Sequence, residues 1–167
     1  MKKRLIILLL TGFCIVNGFA QNAPLIKRAY AFYTESIPGM AMTDDKGNII
    51  NPKPMIERFI YVECSGTKPP VIAGVSYDKT RYTAIVSRVD EIPANIGKSQ
   101  DNGRQFILIP RKGYSLWKLN LAIIDDNMPV PNKTKNITIV YRGGLHDRRS
   151  PVFHVYKETQ LMVPDRY

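Results

Sequence analysis

The chain has 167 residues, 44% of them hydrophobic, and its 24 Lys and Arg residues outnumber its 14 Asp and Glu residues to give a formal net charge of +10. This length is enough for one domain with an adequate hydrophobic core. The positive excess favours anionic surfaces or ligands, but no basic run reaches five residues, which excludes the usual basic signature of a nucleic-acid-binding protein.

The first 20 residues have the pattern of a secretory signal peptide. Residues 2–4 are basic, residues 5–16 form an apolar stretch, and residues 18–20 (Gly-Phe-Ala) form a small-x-small cleavage site. The apolar stretch is shorter than the about 20 residues that a membrane-spanning helix needs. We therefore expect residues 1–20 to be removed, leaving residues 21–167 as a single exported domain without a membrane span.

Cys14 raises the alternative of a lipid anchor, because exported lipoproteins are acylated on a Cys just after the apolar region. Phe13 stands where lipoprotein processing requires a small residue, and the site after Ala20 competes, so a free protein is favoured. Cys64 is then the only Cys left, so no internal disulfide is expected and stability must come from the core.

The first half of the exported chain alternates short apolar segments with Gly and Pro. Residues 28–36 contain several aromatic residues and have the alternating side-chain pattern of a strand. Residues 40–50 predict a small hairpin whose turn contains Gly47. Residues 58–64 predict a second strand. Its Ile60, Val62 and Cys64 share one face while aromatics occupy the other, so both faces are expected to be covered.

The next segments predict a hairpin and a loop. Residues 71–77 and 81–89 are expected to pair as an antiparallel hairpin, and residues 93–103 to form a polar loop. Residues 104–109 predict a strand that turns at 111–113 and pairs with the strand after it.

The strand predicted at residues 114–124 has the clearest pattern of all. Trp117, Leu119, Leu121 and Ile123 fall at every second position, so they form one apolar row on a strand expected to lie centrally. Two further strands are predicted, at residues 136–142 and at residues 151–162.

Eight or nine short strands with Gly and Pro between them predict an all-β fold. The favoured architecture is a single antiparallel β-sandwich, immunoglobulin-like or a variant of it, and the alternative is a small closed β-barrel.

Catalytic and metal-binding patterns are weak. Cys64 with His146 or His154 is the only Cys–His combination, but Cys64 shares a strand face with Ile60 and Val62, which favours a buried hydrophobe over a nucleophile. Neither a zinc motif nor a cofactor motif is present, and we predict no metal, cofactor or catalytic residue. The dispersed carboxylates are interpreted as solvent-facing or strand-end charges: Glu35, Glu57, Glu63, Glu91 and Glu158.

The best candidate for a binding surface is the glycine-opened loop at residues 143–150 and the strand end before it, because loops carry function on β scaffolds. Its polar and aromatic residues are Tyr141, Arg142, His146, Arg148 and Arg149. We expect a non-enzymatic binding or accessory module of the bacterial cell envelope, in the periplasm, at the outer-membrane surface or outside the cell, with an envelope protein or polysaccharide as partner. The alternatives are a small envelope hydrolase and a polyanion-binding protein.

Overall fold

The computed structural model describes residues 25–36, 42–43, 45–47, 49–50, 54–124, 136–142 and 150–163. The predicted signal peptide and Cys14 lie outside these ranges. The described residues form twelve strands: β1 (Ile26–Ser36), β2 (Met42–Thr43), β3 (Ile49–Ile50), β4 (Met55–Ser65), β5 (Ile72–Tyr77), β6 (Thr80–Arg88), β7 (Ala94–Lys98), β8 (Gln105–Leu108), β9 (Tyr114–Ile123), β10 (Ile137–Tyr141), β11 (Val152–Val155) and β12 (Glu158–Leu161). Within the same ranges, no helix has the length and apolarity to cross a membrane.

Eight strands form one hydrogen-bonded sheet in the order β11-β10-β5-β6-β9-β4-β1-β12. Its ladders are antiparallel except that between β1 and β12, which is parallel. The sheet curls until β11, at one edge, contacts β1 beside the other edge, so it is nearly closed into a barrel. The contact between β1 and β11 carries no ladder within the described residues and leaves one unsealed seam.

The all-β class is confirmed, but the two-sheet antiparallel sandwich is not what the structure shows. The main sheet is single, mixed and nearly closed, which is closer to the barrel alternative. Two small antiparallel sheets accompany it, β2 with β3 and β7 with β8.

The alternating rows predicted on the central strands are confirmed. Trp117 and Leu119 of β9 are buried together with Ile60, Val62 and Cys64 of β4 on the inner face of the sheet. We call this cluster the inner core; it also takes side chains from β1, β5, β6, β10 and β11. β9 lies between β6 and β4, as expected for the most strongly patterned strand.

The outer face of β1, β4 and β9 is covered as well, by the hairpin of β7 and β8. The buried residues of this outer layer are Phe32, Tyr61, Ala94, Leu108, Leu116 and Leu161. Lys118, which alternates with Trp117 and Leu119 along β9, lies over the Phe59 ring on this outer side, with its Nζ 4.7 Å from the ring centroid.

The two predicted hairpins are present. β5 and β6 pair through a turn at Asp78 and Lys79, and β2 pairs with β3 across a turn in which Gly47 has a positive φ of 79°.

Three predictions about individual strands were wrong. β8 pairs with β7 and not with β9, and β7 itself lies in the segment predicted as a polar loop. The last predicted strand is two strands, β11 and β12, which pair with different neighbours on either side of Tyr156 and Lys157.

Candidate binding site

The seam of the barrel arises because the final strand segment changes its pairing partner. β12 pairs with β1 from Ala31↔Glu158 to Thr34↔Leu161. Continued by three residues towards the N-terminus, the same register would place Arg28 opposite Val155. In the structure β11 pairs with β10 at that level, so the seam opens between β11 and the first half of β1.

A cleft of about 560 Å³ occupies this seam. Consecutive residues line it from both strand segments, 27–32 on one side and 153–157 on the other. Successive side chains of a strand point to opposite faces of the sheet. Because every residue of each segment lines the cleft, the cleft must lie along the backbone edges of the strands and not on one face. The turn between β7 and β8 contributes a third wall, including Asn102 and Arg104.

The charged side chains of the cleft are mostly basic. Among the described residues, Lys27, Arg28, Arg104 and Lys157 line it and are exposed, against the single carboxylate of Asp101. Arg28 also lies 3.9 Å from the Glu63 carboxylate, a long contact that offsets only part of its charge. The cleft therefore favours an anionic occupant.

Aromatic rings accompany these charges. Tyr30, Phe106 and Phe153 line the cleft and are half-buried. At its rim the His154 and Tyr156 rings stack, with centroids 6.3 Å apart, and Tyr156 is 78% exposed. Such rings offer flat contact surfaces to a ligand beside the charges.

The two edge strands of the main sheet differ in how their outer edges are protected. Residues 98–100 cover the edge of β12: Gln100 N–H donates to the Gln160 carbonyl at 2.9 Å, and Met162 N–H donates to the Lys98 carbonyl at 2.8 Å. No described segment makes such bonds with the seam-facing edge of β11.

Residues with nucleophilic or acid–base chemistry do not assemble into a relay at the cleft. Ser99, Asp101 and His154 all line it, but the Ser99 hydroxyl accepts the Asp101 N–H at 3.3 Å, and no hydrogen bond among the described residues joins His154 to either. Cys64 is fully buried in the inner core, as predicted, and burial raises the pKa of its thiol to about 12. In the described ranges, no cluster of three or more His, Cys, Asp or Glu residues has metal-binding geometry.

Two of the carboxylates interpreted as solvent-facing or strand-end charges, Glu63 and Glu158, have buried side chains, so a solvent-facing position was wrong for both. Glu63 lies under the outer face, where the Arg111 Nε is 3.4 Å from its Oε1 and the Arg111 backbone N–H donates to the same oxygen at 3.3 Å. Glu158 lies in the barrel interior, with its Oε1 3.1 Å from the Nε of Arg58.

The Arg58–Glu158 pair is nearly inaccessible, with side chains 2% and 4% exposed. Tyrosines surround it: the guanidinium donates to the Tyr82 hydroxyl at 3.5 Å and lies 5.1 Å from the Tyr77 ring centroid and 5.8 Å from that of Tyr33. Burial raises the pKa of Glu158 above its ordinary value, while Arg58 opposes the rise. One feature of the sequence pointed to this cluster: Arg58 falls two positions before Ile60, and Val62 two positions after it, so alternation places Arg58 on the same inner face.

The structure places the predicted binding surface only in part. Tyr141 is 3% exposed and packs in the inner core, whereas Arg142 is exposed. His146, Arg148 and Arg149 lie outside the described residues, so the surface as a whole stays a prediction. No pattern in the sequence indicated the cleft, because its residues come from three distant segments that meet only at the seam.

Comparison with known proteins finds no family model, no curated protein and no solved structure that matches this chain.

Proposed function

We propose that this protein is an exported, non-enzymatic binding module of the bacterial cell envelope, and that it holds an anionic ligand in the seam cleft. The observation that carries the proposal is the lining of the cleft. Its described residues include four exposed basic side chains and several aromatic rings, but only one carboxylate.

Both the positive charge of the cleft and its concave shape favour an anionic ligand. Like charges gathered in a concave site raise the local concentration of an oppositely charged ligand, and this attraction weakens as salt is added. Half-buried rings beside the charges supply apolar contact, which a merely solvated basic face lacks. Export to the envelope is inferred from the signal-peptide pattern of residues 1–20.

The test reverses charges inside and outside the cleft. The cleft variant carries Lys27→Glu, Arg104→Glu and Lys157→Glu. The matched control carries Lys79→Glu, Arg81→Glu and Lys112→Glu, which are exposed and do not line the cleft. Both variants change the net charge by the same amount.

Binding of two anionic probes, polygalacturonate and an acidic peptide, is measured by fluorescence anisotropy at two salt concentrations. The cleft variant should bind at least one probe about tenfold more weakly or worse, a loss of about 1.4 kcal/mol, while the control stays within about threefold. Equal losses in both variants would show a general charge effect and would refute the cleft as the site.

A further inference from the structure

The seam-facing edge of β11 presents backbone groups in a definite pattern. Tyr141 N–H donates to the Pro151 carbonyl at 3.1 Å, which makes these two residues a bonded pair of the β10–β11 ladder. Bonded and non-bonded pairs alternate along an antiparallel ladder, so Phe153 and Val155 bond to β10. The N–H and C=O groups of Val152 and His154 then point away from β10, into the seam.

We propose that the ligand of the seam cleft is an extended acidic polypeptide segment of a partner protein, which adds to the edge of β11 as an extra strand. This inference rests on the proposed function and specifies the class of its ligand. Strand addition uses the backbone groups of an exposed edge for affinity and the alternating side chains of the guest for specificity.

The two faces of the seam predict the sequence pattern of the guest strand. On the outer face its side chains approach Arg28 and Arg104, and acidic residues suit these positions. On the inner face they approach Phe153 and Val155, which belong to or pack against the inner core, and apolar residues suit these positions. The preferred guest therefore alternates acidic and apolar residues.

The width of the seam sets a requirement on this mode of binding. A strand between β1 and β11 needs about two strand spacings, close to 10 Å. Cα atoms of β1 and β11 approach within 8 Å, so the seam must widen by at least about 2 Å at its narrowest place. No ladder bond between described residues crosses the seam, so widening breaks none.

The test uses an eight-residue peptide of alternating Glu and Val and two substitutions of one residue. His154→Ala removes the side chain but keeps the seam-facing N–H, whereas His154→Pro removes that N–H and breaks no bond to β10. His154→Pro should still fold, since an edge strand tolerates proline where its N–H is unpaired. We expect it to bind the peptide about tenfold more weakly, or worse, than His154→Ala, which lacks the same imidazole ring but keeps the N–H.

A change in the peptide tests the same point without relying on a protein variant that may not fold. N-methylation of alternate peptide amides, in each of the two possible phases, leaves the charges unchanged. One phase should weaken binding about tenfold or worse and the other less, because only one set of amides faces β11. Amide hydrogen exchange at Val152 and His154 should slow when the unmodified peptide binds.

The outcomes separate the two proposals. Strand addition is overturned if neither phase of N-methylation nor His154→Pro weakens the binding of the peptide. Polygalacturonate binding that the cleft variant weakens, with no peptide binding, also overturns strand addition and leaves the proposed function standing. Failure of both probes to bind overturns both proposals.

Discussion

At the scale of single residues, the most consequential feature is the buried ion pair of Arg58 and Glu158. Taking two charges out of water is costly, and their mutual attraction offsets the cost only when other polar groups assist. Here the Tyr82 hydroxyl and the rings of Tyr33 and Tyr77 surround the guanidinium. Removing one partner leaves the other as an uncompensated buried charge.

Arg58→Met should therefore destabilise the protein strongly and in a pH-dependent way. We expect the free energy of unfolding to fall by about 3–5 kcal/mol at pH 7. Burial already raises the pKa of Glu158, so the folded state holds its proton more tightly than the unfolded state does. The stability contributed by this carboxyl is therefore greatest below its ordinary pKa and declines as the pH rises through the raised value.

Without Arg58 the pKa of Glu158 should rise further, so the loss in Arg58→Met should be smaller at pH 4, where the carboxyl is protonated, than at pH 7. Urea denaturation at both pH values measures it. Arg88→Met is the matched control, because Arg88 pairs with Asp90 at the surface and should cost less than about 1 kcal/mol. A loss that is larger at pH 4 would contradict the account.

Cys64 gives a second prediction at this scale. The thiol is fully buried and its pKa is raised to about 12, so at pH 8 it stays protonated and out of reach of reagents. Iodoacetamide should modify Cys64 at least about a hundredfold more slowly in the folded protein than in urea. Peptide mapping by mass spectrometry measures the labelling of Cys64, and rapid labelling of Cys64 in the folded protein would contradict its burial.

At the scale of elements, the hairpin of β5 and β6 depends on a turn with one unusual backbone angle. Asp78 has a φ of 51°, in the left-handed region, and its N–H donates to the Asn136 carbonyl at 2.9 Å. Asp tolerates this region because its short polar side chain can bond locally, whereas a β-branched residue is strained there.

Asp78→Val should lower the free energy of unfolding by about 1–2 kcal/mol, the usual cost of the left-handed region. Lys79→Val, at the neighbouring turn position without a positive φ, should change it by less than about 0.5 kcal/mol. Thermal unfolding of the two variants side by side measures the difference, and similar losses would show that the backbone angle is not the cause.

The errors in the predicted elements also have a physical reason. Asn95 and Gly97 are poor strand formers, yet β7 forms because it pairs with β8 and packs on the outer face. No Gly or Pro interrupts residues 152–162, so the sequence had no break to indicate that β11 and β12 bond to different neighbours.

At the scale of the whole molecule, the arrangement is a curled sheet with an inner core and a partial outer layer. The hairpin of β7 and β8 covers the outer face of β1, β4 and β9, and residues 98–100 tie it to the edge of β12. One edge is thereby protected, while no described segment bonds to the seam-facing edge of β11. Unprotected edges are the places where a sheet can accept another strand.

The sequence by itself determined which residues form the inner row of each central strand, as at Ile60, Val62 and Cys64, and where the β5–β6 hairpin turns. These features are local, because side-chain alternation and turn chemistry act over a few residues. Only the tertiary structure decided that β1 pairs with β12 in parallel, that Arg58 meets Glu158 in the interior, and that a basic cleft opens at the seam. Backbone hydrogen bonds join any two strands alike, so partners and closure depend on how the whole chain packs.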